Sequence, residues 1–180
     1  MLVASCFIMS AAKATLADAR DIHDLVNLFA QRGDMLPRTM GEVYENLRDF
    51  FVVRDGDSGR FLGCVALHLM WSDLAEVKSL AVSEEAQGRG IGSVLVRACI
   101  EEARDVGLGR IFALTYRPAF FERLGFEIAD VMTLPRKVWN ECYRCPKFPS
   151  CNEIALTLDL GQRALDERSP SPPTGEGLTV

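Results

Sequence analysis

The segment Gln87-Gly88-Arg89-Gly90-Ile91-Gly92 constrains this chain more than any other. It leaves a strand-like apolar run, Ala75 to Val82, and enters a helix-like run, Ser93 to Val106. A glycine-rich turn in that setting aims several backbone N–H groups at one point, and the dipole of the following helix adds partial positive charge there. Glycine also permits positive φ and close approach of a ligand. The turn is a candidate cradle for a phosphate or pyrophosphate, the other reading being a plain tight connection. A P-loop is excluded, because no Gly-Lys-Ser/Thr closes the turn.

The pattern on either side defines the fold class. Ala12 to Leu16 is strand-like. Asp18 then stands as an N-cap, with Ile22, Leu25, Val26, Leu28 and Phe29 on one helix face and Gly33 as the stop. Thr39-Met40-Gly41-Glu42 has capping-box spacing and starts a second helix, to about Arg48. Phe50 to Arg54 and Arg60 to Met70 flank Asp55-Gly56-Asp57-Ser58-Gly59, a hairpin pattern, and Trp71-Ser72-Asp73 turns the chain into Ala75 to Val82. After the long helix come a short strand, Ile111 to Thr115, and a short helix, Pro118 to Leu124, stopped by Gly125. Two further strands, Phe126 to Asp130 and Glu153 to Leu160, enclose an irregular insertion, Thr133 to Cys151. The order β-α-α-β-β-β-α-β-α-β-β predicts a mixed α/β (α+β) domain in which an antiparallel meander leads into a βαβ unit.

The predicted domain runs over residues 12–161, after an N-terminal extension, 1–11, and before a polar tail, 162–180, rich in Ser, Pro and Gly and expected to be disordered. Met9 is an alternative start to Met1. The string Val3-Ala4-Ser5-Cys6 lacks the basic and apolar regions of an export signal, so a cytoplasmic location is expected. A net charge of −5 over 180 residues gives no electrostatic case for nucleic acid. No apolar run approaches the roughly 20 residues of a membrane span. In a reducing compartment the six cysteines are expected to be free, with Cys64 and Cys99 in the core.

Four pieces, in this order and spacing, resemble the GCN5-related N-acetyltransferases, the GNAT family. They are Leu80-Ala81-Val82, the turn Gln87 to Gly92, the strand Ile111-Phe112-Ala113-Leu114, and Phe120-Phe121-Glu122-Arg123-Leu124-Gly125-Phe126. The resemblance covers about Lys13 to Leu160. It implies a mostly antiparallel mixed sheet with flanking helices and a splayed central strand pair. It also implies acetyl-CoA as co-substrate. The N–H groups of Gln87, Gly88, Arg89, Gly90, Ile91 and Gly92 would hold the pyrophosphate, with Arg89 adding charge at the rim. Leu80, Ala81 and Val82 would pair with the pantetheine amides and polarise the thioester carbonyl. Ser93, Phe120 and Phe121 complete the implied coenzyme site.

A narrower resemblance joins Glu76-Val77-Lys78-Ser79-Leu80-Ala81-Val82 to Leu134-Pro135-Arg136-Lys137-Val138-Trp139 and to the segment Cys142 to Cys151. These are similar to the short, stand-alone N-acetylglutamate synthases of bacterial arginine biosynthesis. The implied reaction is acetyl transfer to the α-amino group of L-glutamate. L-Glutamine, another small amine, a protein N-terminus or a non-catalytic acyl-CoA sensor are the alternatives, and a homodimer is left open.

Acetyl transfer needs a neutral amine. Glu76 is the candidate base, since alternation puts Glu76, Lys78 and Leu80 on one strand face; a salt-bridged carboxylate is the other reading. Lys78 and Arg38 are the candidate ligands for substrate carboxylates, ahead of Arg54 and Arg117. Many GNAT enzymes carry a tyrosine as general acid on the short helix. The matching position here is Phe121, which has no proton to give, so Tyr116 just upstream is the substitute candidate. Cys142, Cys145 and Cys151 have one near-metal spacing and no fourth ligand, so no metal is expected, and packing of a substrate-side flap with Trp139 and Phe148 is their default role.

Overall fold

The computed structural model describes residues 9–134, 142–145, 147 and 150–161. Its elements are β1 (Ala12–Lys13), α1 (Ala19–Gln31), α2 (Met40–Glu45), β2 (Phe50–Arg54), β3 (Phe61–Trp71), β4 (Leu74–Val82), α3 (Ile91–Asp105), β5 (Arg110–Thr115), α4 (Pro118–Glu122), β6 (Glu127–Ala129) and β7 (Ile154–Asp159). The strands form one open mixed sheet in the order β1-β2-β3-β4-β5-β7-β6. Every neighbouring pair is antiparallel except β4 and β5, which are parallel.

Side-chain alternation divides the core into two layers. Phe51, Val53, Val65, Leu67, Ala75 and Val77 pack against Ile91, Leu95, Val96, Cys99 and Ala103 of α3. Phe50, Val52, Cys64, Ala66 and Ala81 face the other way, onto Ala19, Ile22, Val26 and Phe29 of α1 and Val43 of α2. A strand buried on both faces has no need of alternating polarity, which is why β2 is the unbroken run Phe-Phe-Val-Val. Each fully buried aliphatic side chain contributes about 2 kcal/mol, so these two layers supply most of the driving force for the fold. The capping box of α2 forms as expected: the Glu42 backbone N–H donates to Thr39 Oγ1 at 3.2 Å and the Thr39 N–H to Glu42 Oε2 at 2.7 Å.

Three local expectations are corrected. The first strand is only Ala12–Lys13, because Leu16–Asp18 forms a 3₁₀ turn capped by Thr15. Asp18 is the N-cap residue of α1, but its side chain makes no capping hydrogen bond; it reaches back to accept from the Thr15 N–H and hydroxyl, each at 2.7 Å, and from Arg54 Nη2 at 2.7 Å. The second helix ends at Glu45, and the chain continues as a 3₁₀ turn over Leu47–Asp49. Cys6, Trp139, Phe148 and the tail from residue 162 lie outside the described residues.

Asp18 is one of only two charged or polar residues buried among the described ones. Burial alone would raise its carboxyl, but the hydrogen bonds from Thr15 and the Arg54 guanidinium outweigh it and hold the pKa below the ordinary value. A carboxyl depressed in the folded state adds stability above its unfolded pKa, about 3.9, and loses it as the pH falls toward the folded one. Asp18→Asn should therefore destabilise the protein by about 2 kcal/mol at pH 7, with the difference from wild type shrinking below about pH 4. Denaturant titrations of both proteins across that range measure it.

Candidate active site

The site is made by a ladder that stops. β4 pairs with β5 through Leu74, Ala75 and Glu76, opposite Arg110, Ile111 and Phe112, and no further. Val77 to Val82 then run on beside β3, while Ala113 to Thr115 run on beside β7. Two parallel strands held together at one end thus separate at the other, and a cleft of about 590 Å³ opens between them.

A bulge in β4 sharpens the separation. Cys64 lies opposite Ala81 and Ala66 opposite Lys78, so three steps on β4 span two on β3. Ser79 takes up the extra step with φ 53°, and among the described residues it is the one non-glycine in the left-handed region. Gly63 is required beside it, since a Cβ there would stand 2.7 Å from the Ala81 carbonyl oxygen. The bulge also overturns one expectation. Glu76 and Lys78 do share a face, but Leu80 is turned to the opposite one and packs with the α3 layer, while Ala81 packs with α1. Strict alternation fails wherever an extra residue enters a strand.

The wide end of the cleft is lined by the glycine turn. Gly88 and Gly90 adopt φ of 76° and 82°, and Gly90 is the N-cap of the 15-residue helix α3. The free N–H groups of that first turn face the cleft, with Gln87, Ile91, Gly92 and Ser93 also on its wall. Gly92 leaves room for Phe120, whose ring would lie 3.3 Å from a Cβ at that position. Phe120 and Phe121 both line the cleft and meet edge to face at 5.1 Å between centroids. The Gln87 side chain donates to the Val82 carbonyl at 3.1 Å, tying the turn to the end of β4. Arg89 is exposed and not among the lining residues; its charge is felt at Asp55, whose pKa is lowered chiefly by the Ser58 backbone N–H.

At the narrow end stands Glu76, 3% exposed, on the last paired position of β4. Lys78 Nζ lies 3.8 Å from its Oε2. Arg38 enters from the loop before α2, with Nη1 3.8 Å from Glu42 Oε1. Glu42 is held below the ordinary carboxylate range mainly by the Thr39 N–H, with Arg38 and Lys78 acting in the same direction. Both cations therefore converge on this corner. Arg54 does not; it is committed to Asp18 and Asp21. Arg117 does line the cleft.

Two residues passed over in the sequence position this end. The Asn27 amide brackets the Arg38 backbone, donating to its carbonyl at 2.7 Å and accepting from its N–H at 3.2 Å. An asparagine in mid-helix is a poor helix former, and that was the available signal. Lys147 donates to the Tyr116 hydroxyl at 2.8 Å and to the Gly33 carbonyl at 3.1 Å, joining the cysteine-bearing segment to the end of α1 and to the exit of β5. The Tyr116 hydrogen bond holds the Lys147 ammonium above its ordinary pKa. Nothing in the sequence marked that pairing, which spans 31 residues.

Cys142, Cys145 and Cys151 also line the cleft, with Glu153. They are half-buried or exposed, so they wall the cleft instead of filling a core. Cys64 and Cys99 are buried free thiols, as expected; burial pushes Cys64 up to about 12. Among the described residues no group of three or more His, Cys, Asp or Glu is arranged to hold a metal ion, and no helix is long and apolar enough to cross a membrane.

The model of the acetyltransferase (GNAT) family matches residues 20–126. The chain belongs to this family. It is 37% identical over 147 residues to an uncharacterized N-acetyltransferase of Chlorobaculum tepidum, covering 82% of this chain and 94% of that one. It is 35% identical over 133 residues to an amino-acid acetyltransferase of Mycobacterium tuberculosis, covering 73% and 76%. Among solved structures, a Mycobacterium tuberculosis protein in complex with CoA and NLQ superposes with a TM-score of 0.73 at 29% identity, over 83% of this chain and 98% of that one. The N-acetylglutamate synthase of Neisseria gonorrhoeae, complexed with coenzyme A and N-acetyl-glutamate, gives the same TM-score at 27% identity, over 86% of this chain but only 36% of its own. The protein is thus a GNAT acetyltransferase, and acetyl-CoA is its acetyl donor.

Proposed function

We propose that the protein acetylates the α-amino group of L-glutamate. The observation that carries this reading is the corner where β4 and β5 part: a buried carboxylate, Glu76, stands beside Lys78, and Lys78 and Arg38 both act on the neighbouring Glu42. An amino acid with a second carboxylate matches such a corner: its carboxylates meet the cations while its amine meets Glu76. Relatives named amino-acid acetyltransferase support the same reading, as does the neighbour complexed with N-acetyl-glutamate.

The residues present fit the donor. Acetyl-CoA supplies the activated thioester. The N–H groups from Gln87 to Gly92 and the α3 dipole would take its pyrophosphate. The unpaired edge of β4, from Leu80 to Val82, offers main-chain groups to an extended chain bearing amides, as a sheet edge does to an added strand. Phe120 and Phe121, with Ser93, close the wall beside it. Arg89, exposed beside the turn, would add charge at the rim.

Glu76 takes the proton from the amine as the bond to the acetyl carbon forms. A main-chain N–H near Leu80 stabilises charge on the carbonyl oxygen. Tyr116 supplies the proton for the leaving sulfur. Because its oxygen already accepts from Lys147, the tyrosine's own O–H is left to donate elsewhere. Asn27, by bracketing the Arg38 backbone, fixes the loop that carries the guanidinium.

Two experiments test the reading. Release of CoA from acetyl-CoA over a panel of amines should be fastest with L-glutamate. Preference for glutamine, a small non-acidic amine or a peptide N-terminus would reassign the acceptor, and binding of acetyl-CoA with no release over the whole panel would make the protein a sensor. Glu76→Gln should lower kcat by about 100-fold near neutral pH. The deficit should narrow as the pH rises past the pKa of the amine, where less base is needed. A pH profile parallel to wild type would remove Glu76 as the base.

A further inference from the structure

Three thiols wall a cleft built for a thioester of CoA, and the reaction proposed above uses none of them. Cys142 and Cys145 belong to one 3₁₀ turn, Cys142–Arg144, closed by the Cys145 N–H donating to the Cys142 carbonyl at 3.0 Å. In a 3₁₀ turn the side chains at i and i+3 eclipse, and a rise of about 2.0 Å per residue sets their Cα atoms about 6 Å apart. That lies inside the range of about 4.4–6.8 Å spanned by a disulfide. The two residues therefore lie on one side of the turn with backbones close enough to be bridged, and both line the cleft. Cys151 is differently placed: its Sγ donates to Glu153 Oε2 at 3.6 Å. Cys64 and Cys99 are sealed in the core.

We propose that Cys142 and Cys145 are a redox-active dithiol that exchanges with the disulfide of coenzyme A. The inference rests on the reading of the cleft as the CoA site. A nucleotide held at the glycine turn would thread its pantetheine arm along β4, inside the same cleft that the two thiols line. The thiolate of one cysteine attacks a sulfur of CoA disulfide. A protein–CoA disulfide bond forms, the CoA–CoA bond breaks, and one CoA leaves as a thiolate that takes up the proton the cysteine lost. The second cysteine then attacks the protein sulfur of the mixed disulfide, closing the Cys142–Cys145 bond and releasing the second CoA. The dithiol gives up two electrons and CoA disulfide becomes two CoA thiols. The acetyltransferase thus registers the redox state of its own coenzyme pool, because CoA disulfide enters the cleft that acetyl-CoA uses and leaves a Cys142–Cys145 bond in its wall.

Intact-protein and peptide mass spectrometry at about pH 8, where ordinary thiols begin to ionise, follows each step. Wild-type protein treated with CoA disulfide should yield the closed Cys142–Cys145 disulfide. Cys142→Ser should stop at one CoA on Cys145, and Cys145→Ser at one CoA on Cys142, each reversed by dithiothreitol. The doubly substituted protein should take up none. Exchange should run about tenfold or more faster than with glutathione disulfide, through docking at the turn, and saturating acetyl-CoA should erase the advantage. Equal rates with the two disulfides, no protection by acetyl-CoA, or an adduct on Cys151 would overturn the proposal. Calorimetry with acetyl-CoA separates the two levels: binding without guided exchange removes the dithiol alone, while no binding removes the reading of the cleft and the dithiol with it.

Discussion

Pairing between β4 and β5 ends after Glu76 and Phe112, and the rest of the molecule is arranged around that stop. Backbone groups in a sheet interior are normally consumed by the ladder. Here a central strand keeps one edge of Val77 to Val82 without a ladder partner on the β5 side. The cost of leaving it so is offset by anchoring on both flanks. β4 is held by β3 along nearly its full length, and β5 by β7 along its own. The bulge at Ser79 bends β4, and α3 enters directly behind its end with its N-terminal N–H groups facing the gap. The cleft therefore originates in the sheet itself.

Charge organises the narrow end. A buried carboxylate is tolerated only with partners, and Glu76 has Lys78 at 3.8 Å. Lys78 in turn acts on Glu42, which the capping box has already fixed, and Arg38 joins the same group through a loop clamped by Asn27. The Glu76 corner, the helix cap and the loop are one electrostatic unit. Its stability role and its proposed substrate role draw on the same side chains, so the acceptor's carboxylates would compete with Glu42 and Glu76 for the two cations.

Much of this was legible in the chain because the signals are local. The Thr39–Glu42 capping box, the Asp55–Gly59 hairpin turn, the glycine turn and the apolar face of α1 each depend on residues a few positions apart. Failures followed non-local or irregular features. Strict alternation places Leu80 on the face of Glu76, and the bulge at Ser79 breaks it. Asp18 has the look of a helix cap, yet Arg54, 36 residues away, shares its carboxylate with Thr15. Asn27 and Lys147 act through contacts across 11 and 31 residues, which no spacing rule reports.

Backbone hydrogen exchange with and without acetyl-CoA tests the central claim most directly, because the claim concerns main-chain groups. New protection is expected at the amides of Leu80 to Val82 and of Gly88 to Gly92, with little change in β2 and β7. Protection confined to another surface, or tight binding that leaves the β4 edge exchanging as freely as before, would contradict it.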